Sequence, residues 1–186
     1  MEEKQMKKKI AILVIGVVIA GIFYLNYVNE ENTKVNKEWA LTDEQVSNVV
    51  LKGISQDLNV ILKKGDTNTV QVAGEMPVSF ADKLKEIQPE KDKMLISFAT
   101  EIGVSIAKNS KEKLTVTIQT TDTKLLKELN IKMNKGNVVI QVPNEFERRY
   151  ELETNKGEVT NPKSVKNNAD ELIKVELGFG NIDIVE

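Results

Sequence analysis

The chain has 186 residues, with 26 basic against 28 acidic side chains, a formal net charge of -2 and 40% hydrophobic residues. The charges are nearly balanced and well mixed, which leaves no electrostatic case for nucleic acid as a partner. There is neither His nor Cys, which excludes Ser-His-Asp and Cys-His catalysis, thiol chemistry, zinc ribbons, disulfides and a lipid-modified cysteine.

The run Ile10 to Val28, IAILVIGVVIAGIFYLNYV, carries no charged side chain. As a helix it would reach about 28 Å, the hydrocarbon thickness of a bilayer. Lys4, Lys7, Lys8 and Lys9 precede it, and Asn29, Glu30 and Glu31 follow. That asymmetry predicts a single-pass protein with its N-terminus in the cytoplasm and the remainder outside. The expected division is a cytoplasmic stub over 1–9, a transmembrane anchor over 10–28, a tether over 29–45 and an extracytoplasmic β-repeat domain over 46–186. The competing reading is a signal peptide cleaved after Val18-Ile19-Ala20. The apolar run continues past Ala20, which suits an anchor better. Gly16 and Ala20 have the small-x-x-x-small spacing that lets two helices pack closely, although both residue types are common in membrane spans anyway.

Residues 29 to 41 are polar apart from Val35 and Trp39-Ala40-Leu41. Trp39 fits either the membrane interface or a cap on the domain's first apolar layer. From Val46 the pattern is strand-like, with Val49-Val50-Leu51, Leu58 to Leu62, a turn at Lys64-Gly65-Asp66, then Val70-Gln71-Val72. Short Val- and Ile-rich segments bounded by Gly, Asp and Asn predict strands. Ser79 to Gln88 reads as a short helix or a loop excursion, with Ser79 as a candidate N-cap and Pro89 as a stop. Strands resume over Met94 to Phe98, Gly103 to Ile106 and Leu114 to Ile118. The alternation of Leu114, Val116 and Ile118 with threonines buries one face.

The C-terminal third contains a repeat. LNIKMNKGNVVI from Leu129, YELETNKGEVTN from Tyr150 and IKVELGFGNIDI from Ile173 are offset by 21 and then 23 residues. The repeat aligns Gly136, Gly157 and Gly180. It also aligns Leu129, Tyr150 and Ile173; Ile131, Leu152 and Val175; and Val138, Val159 and Ile182. Charged or amide columns lie between, namely Asn130, Glu151 and Lys174, then Lys132, Glu153 and Glu176. Apolar columns inward and polar columns outward predict strands that share one core face. The aligned glycines predict turns with positive φ. The repeat length suits a rung of a β-solenoid, with a β-sandwich as the alternative.

These residues carry a family resemblance. The run Val138 to Pro143, then Tyr150 to Val159, then Val175 to Ile184 with Gly180-Asn181-Ile182-Asp183-Ile184, resembles the putative-adhesin, LiaG-like β-strand repeat family. The opening Leu51 to Val60 is similar to that family's start. The family is a domain of unknown function. The resemblance implies an all-β, right-handed β-helix-like solenoid of short strands behind one N-terminal transmembrane helix, in the cell envelope of Gram-positive bacteria, with some relatives tied to envelope-stress responses. It brings no catalytic residues. Thr160-Asn161-Pro162 departs from the pattern, breaking the second repeat where an apolar strand would continue.

Carboxylates are the catalytic material left. Glu151 and Glu153, two apart on one strand face, and Asp183 and Glu186 could serve a glycosidase, which needs two carboxyls roughly 5 to 10 Å apart. Any solvated strand face shows the same spacing. Asn167, Asn168, Asp170 and Glu171 offer oxygen ligands for calcium, but without EF-hand or nonapeptide-repeat spacing. No catalytic, cofactor-binding or metal residue is therefore assigned. The expected function is that of a non-enzymatic, membrane-anchored envelope protein with an adhesin-like binding or scaffold domain. Its partners would be the membrane, through 10–28, and an envelope protein or wall polymer. The alternative is an extracytoplasmic carboxylate-dependent hydrolase acting on wall glycan.

Overall fold

A computed structural model describes residues 31–98, 113–144, 146, 148–160 and 169–186. The expected anchor over 10–28, its lysine flank, the cleavage site, the Gly16/Ala20 pair and the strand at 103–106 lie outside the described residues. Among the described residues no helix is long and apolar enough to cross a membrane.

The described elements are β1 (Asn32–Ala40), α1 (Asp43–Val46), β2 (Asn48–Lys52), β3 (Leu58–Lys64), β4 (Thr69–Pro77), α2 (Val78–Glu86), β5 (Met94–Ser97), β6 (Leu114–Thr120), β7 (Glu128–Lys135), β8 (Val138–Gln141), β9 (Arg149–Lys156), β10 (Val159–Thr160), β11 (Leu172–Phe179) and β12 (Ile182–Val185). They form a seven-stranded sheet in the order β1-β4-β6-β3-β8-β12-β10, called sheet A, and a five-stranded sheet in the order β5-β2-β7-β11-β9, called sheet B. The described residues are mostly β with two short helices, and buried residues from both sheets join one hydrophobic core. Two sheets enclosing a core is the architecture of the β-sandwich alternative.

Most of the stack is built of parallel rungs, each running from sheet B through a corner into sheet A. Their register follows the apolar columns of the repeat. Ile173 pairs with Leu129 and Tyr150, Val175 with Ile131 and Leu152, and Ile182 with Val138 and Val159. The first rung continues the columns, with Val49 beside Leu129 and Leu51 beside Ile131. Side chains alternate across a strand, so a shift of one residue would turn every apolar column outward, and the register is therefore strongly set.

The order of the rungs departs from the expected solenoid. A coil wound in one direction would stack consecutive rungs. Here β11–β12 lies between β7–β8 and β9–β10, and β2–β3 lies between β5 with β6 on one side and β7–β8 on the other. The last repeat in sequence is thus interior, and the broken second repeat ends the stack. Among the described residues β10 pairs through Val159 and Thr160, and the Thr160-Asn161-Pro162 departure begins at the second of them.

The domain also begins earlier than expected. Residues assigned to a tether form β1, paired antiparallel with β4 from Asn32 to Ala40. Trp39 is a core residue at 5% exposure, and its Nε1 donates to the Ile87 carbonyl at 3.0 Å. The compact unit runs from Asn32 to the C-terminus. Helix α2 starts one residue before Ser79, with Pro77 at the N-cap and no side-chain cap. The helix stops at Glu86, and Ile87 turns extended, ahead of Gln88, which Pro89 biases against helix.

Candidate functional site

The corners of the rungs are where the repeat does its structural work. Gly136, Gly157 and Gly180 all have positive φ, as the aligned glycines predicted. Crowding adds a second requirement. A Cβ on Gly157 would collide with the Gly180 carbonyl, one on Gly180 with the Gly136 carbonyl, and one on Gly136 would meet the Gln56 carbonyl at 2.6 Å. The residue after each corner forms a ladder. Asp57 Oδ1 accepts from the Asn137 backbone N–H at 2.8 Å, Asn137 Oδ1 from Asn181 N–H at 3.0 Å, and Asn181 Oδ1 from Glu158 N–H at 3.0 Å. Each rung's polar side chain thus satisfies a backbone donor of the next, at a corner where sheet pairing is interrupted.

This ladder borders a shallow groove of about 360 Å³ on the outer face of sheet A, lined by Asp57, Asn59, Lys113, Asn137, Gln141 and Asp183 among others. Gln141 Nε2 donates to Asn59 Oδ1 at 3.3 Å across two rungs. Beyond the groove the same face carries Thr115 beside Asn59 and Thr117 beside Ile61 and Gln71. The face is rich in amides and hydroxyls, with Asp57, Lys113 and Asp183 as the charges at the groove. Its groups repeat at the inter-strand spacing of roughly 4.8 Å. Such a surface offers donors and acceptors in rows.

The outer face of sheet B differs. Lys132 and Lys174 meet Glu176 at 2.8 and 3.0 Å, and Arg149 lies 3.6 Å from Glu151. The hydrogen bonds from Lys132 and Lys174 hold the Glu176 carboxyl down at about 2. Glu151 and Glu153 do occupy this one face, as expected. The nearby depression, about 240 Å³, combines Glu153 with Glu176, Lys132 and Asn155. A glycosidase needs an acid with a raised pKa, whereas Glu176 is driven the other way. Asp183 belongs to sheet A, and Glu186 lies beyond β12, where its charge acts on Tyr150.

Of the calcium candidates, Asn167 and Asn168 lie outside the described residues. Glu171 is committed to Lys127 at 3.0 Å. Burial would raise its carboxyl, but the Lys127 hydrogen bond and the Lys127 and Arg148 charges bring it below the ordinary value. Among the described residues no group of three acidic, His or Cys side chains could hold a metal ion. Sequence reading missed the Asp57-Asn137-Asn181 ladder. The signal was there in Gly136-Asn137 and Gly180-Asn181, but Gly157-Glu158 hid the third copy. It also missed Arg148, which is 2% exposed, donates to the Thr123 carbonyl at 2.6 Å and lies 4.9 Å from the Phe146 ring.

No family model and no curated protein matches the sequence. Solved structures do. A putative cell adhesion protein from Clostridium sporogenes ATCC 15579 is 14% identical with a TM-score of 0.41, over 82% of this chain and 99% of that one. A putative adhesin from Parabacteroides distasonis ATCC 8503 is 14% identical with a TM-score of 0.35, over 84% of this chain and 57% of that one. A putative lipid binding protein from the same organism is 14% identical with a TM-score of 0.32, over 80% of this chain and 58% of that one. The chain therefore spans less than two thirds of the length of the two Parabacteroides proteins.

Proposed function

We propose that this is a non-enzymatic, membrane-anchored envelope protein whose β-domain binds a hydroxyl-rich wall polymer on the outer face of sheet A. One observation carries the reading: the amide and hydroxyl rows of Asn59, Gln141, Thr115 and Thr117, kept in register by rung stacking and opening into the groove beside the asparagine ladder. A neutral polysaccharide presents many weak donors and acceptors, and a rigid array meets them with little ordering cost. The apolar segment 10–28 with its lysine flank supports an N-in anchor, and the LiaG-like resemblance of the sequence adds an envelope-stress setting.

The test is co-sedimentation of the full chain, in detergent micelles, with purified insoluble cell-wall polysaccharide. The Asn59→Ala/Gln141→Ala variant should bind on the order of tenfold more weakly, since a lost hydrogen bond is worth about 1 kcal/mol, while melting within a few degrees of the parent. Binding that the variant leaves unchanged, or no binding by the parent, overturns the polymer reading. Protease added to intact protoplasts tests the topology: removal of the domain is expected, and protection until lysis refutes an extracytoplasmic placement.

A further inference from the structure

Among the described residues the rung β9–β10 ends both sheets. Arg149 N–H donates to the Glu171 carbonyl at 2.8 Å. Backbone groups alternate sides along a strand, so the N–H and C=O of Tyr150, Leu152 and Thr154 point off the edge. The apolar columns that are fully buried at Ile173, Val175 and Ile182 are only partly buried at Tyr150, Leu152 and Val159.

We propose that this open rung is a strand-addition site for an extended segment of a second protein, one that alternates apolar with basic residues and places a glycine at its corner. Each requirement repeats a contact already present one rung inward. The apolar alternation would complete the columns over Tyr150, Leu152 and Val159. The glycine is demanded because every corner in the run Gly136, Gly180, Gly157 faces the carbonyl of the preceding one with no room for a Cβ. Glu158 stands where Asp57, Asn137 and Asn181 each accept a donor from the next rung. Basic residues are required by charge. Glu151 and Glu153 face outward on β9, and Glu153 lies beside Glu176, whose own partner Lys132 sits on its other neighbour β7. A lysine on the added strand would give Glu153 what Lys132 gives Glu176.

A second copy of this chain fits poorly. Two β9 strands meeting about a two-fold axis run antiparallel. In the two registers that overlap most of β9, keeping Tyr150, Leu152 and Thr154 inward then sets Glu151 against Glu153, or Glu153 against itself, and like charges directly opposite destabilise a pair. Head-to-tail stacking fits poorly as well, because sheet A runs two strands, β4 and β1, past the last strand of sheet B, so that stepped end of one copy cannot meet both strands of the β9–β10 end of the next.

The probe is a synthetic peptide copying residues 171 to 185 with Glu171→Lys, Glu176→Lys and Asp183→Lys, added to the full chain in detergent micelles. Fluorescence anisotropy should show it binding on the order of tenfold more tightly than the unmodified acidic copy. Glu151→Lys/Glu153→Lys in the protein should invert that preference without disturbing the fold. Leu152→Pro, which removes an outward N–H, should abolish binding. Hydrogen exchange at Tyr150, Leu152 and Thr154 should slow when the peptide is present. The proposal is overturned if the basic peptide binds no better than a scrambled one. It is equally overturned if those amides are already protected without peptide, or if the parent chain self-associates by light scattering and the charge reversal disperses it.

Discussion

The two ends of the stack differ in what closes them. At the β9–β10 end the last described element is a repeat unit, with Tyr150, Leu152 and Val159 partly buried. At the other end, sheet A extends by β4 and β1 past the last strand of sheet B. Helix α2 packs there, burying Ala81 and Leu84. Phe80 of α2 stacks on Phe98 with ring centroids 5.3 Å apart, and Trp39 donates to Ile87. Repeated rungs propagate a core but cannot terminate it, so closure needs elements of another kind. Among the described residues, a helix and an antiparallel pair supply it on one side only.

The largest expected effect tests that contrast directly. Trp39→Ala removes a core aromatic and leaves a cavity, costing about 3–5 kcal/mol. Tyr150→Ala, in the partly buried column at the open end, should cost roughly 1–2 kcal/mol, because less area leaves water there. At roughly 2–4 °C per kcal/mol for a domain of this size, circular dichroism melts separate the two clearly. Equal shifts would mean that the open end is as well covered as the capped one.

A smaller contrast runs along the corner column. Gly180 is enclosed between Gly136 and Gly157, whereas Gly157 belongs to the terminal rung. Gly157→Val should cost about 1–3 kcal/mol, since a positive-φ residue is strained but the last rung can shift. Gly180→Val should cost about 3 kcal/mol or more, because rungs on both sides are held. If denaturant midpoints move equally for the two, the terminal rung is as tightly held as the interior.

These contrasts also mark what the amino-acid sequence could reveal. The columns Leu129–Ile173–Tyr150 and Ile131–Val175–Leu152 were legible because period-two alternation and the aligned glycines fix a rung's register. Rung order was not legible. Lys132 complements Glu153 as well as Glu176, so charge columns do not decide whether β9 or β11 lies beside β7. The capping strand β1 was faint for a different reason. Its inward residues are Thr33, Val35, Lys37 and Trp39, and only two of them are apolar. The candidate face on sheet A was unremarkable in sequence, because outward Thr, Asn and Gln are what any wet strand shows. Its meaning comes from stacking, which brings residues distant in sequence, such as Asn59 and Gln141, within hydrogen-bond reach on neighbouring rungs.

The smallest expected effect separates the interior from the open end by pH. Glu176, held by Lys132 and Lys174, sits at about 2 against an ordinary 4.5. Between those values the unfolded chain binds a proton that the folded one does not, so stability rises with pH across this window. The contribution is complete above about pH 4.5 and disappears as pH falls through about 2. Tyr150 behaves in the opposite sense. Burial first, and the Glu186 charge second, push its phenol up to about 12 from 10, against the opposing pull of Arg148. Its contribution is complete below about pH 10 and is lost as pH climbs through about 12. Glu176→Gln should therefore flatten only the acid limb of the stability profile, and Tyr150→Phe only the alkaline limb. Both groups are partly solvated, so the changes should be slight and the Glu176 effect should shrink in high salt. An acid limb that keeps its slope in Glu176→Gln would mean that the Lys132–Glu176–Lys174 cluster does not hold β7 to β11, and that the interior rungs rest on their apolar columns alone.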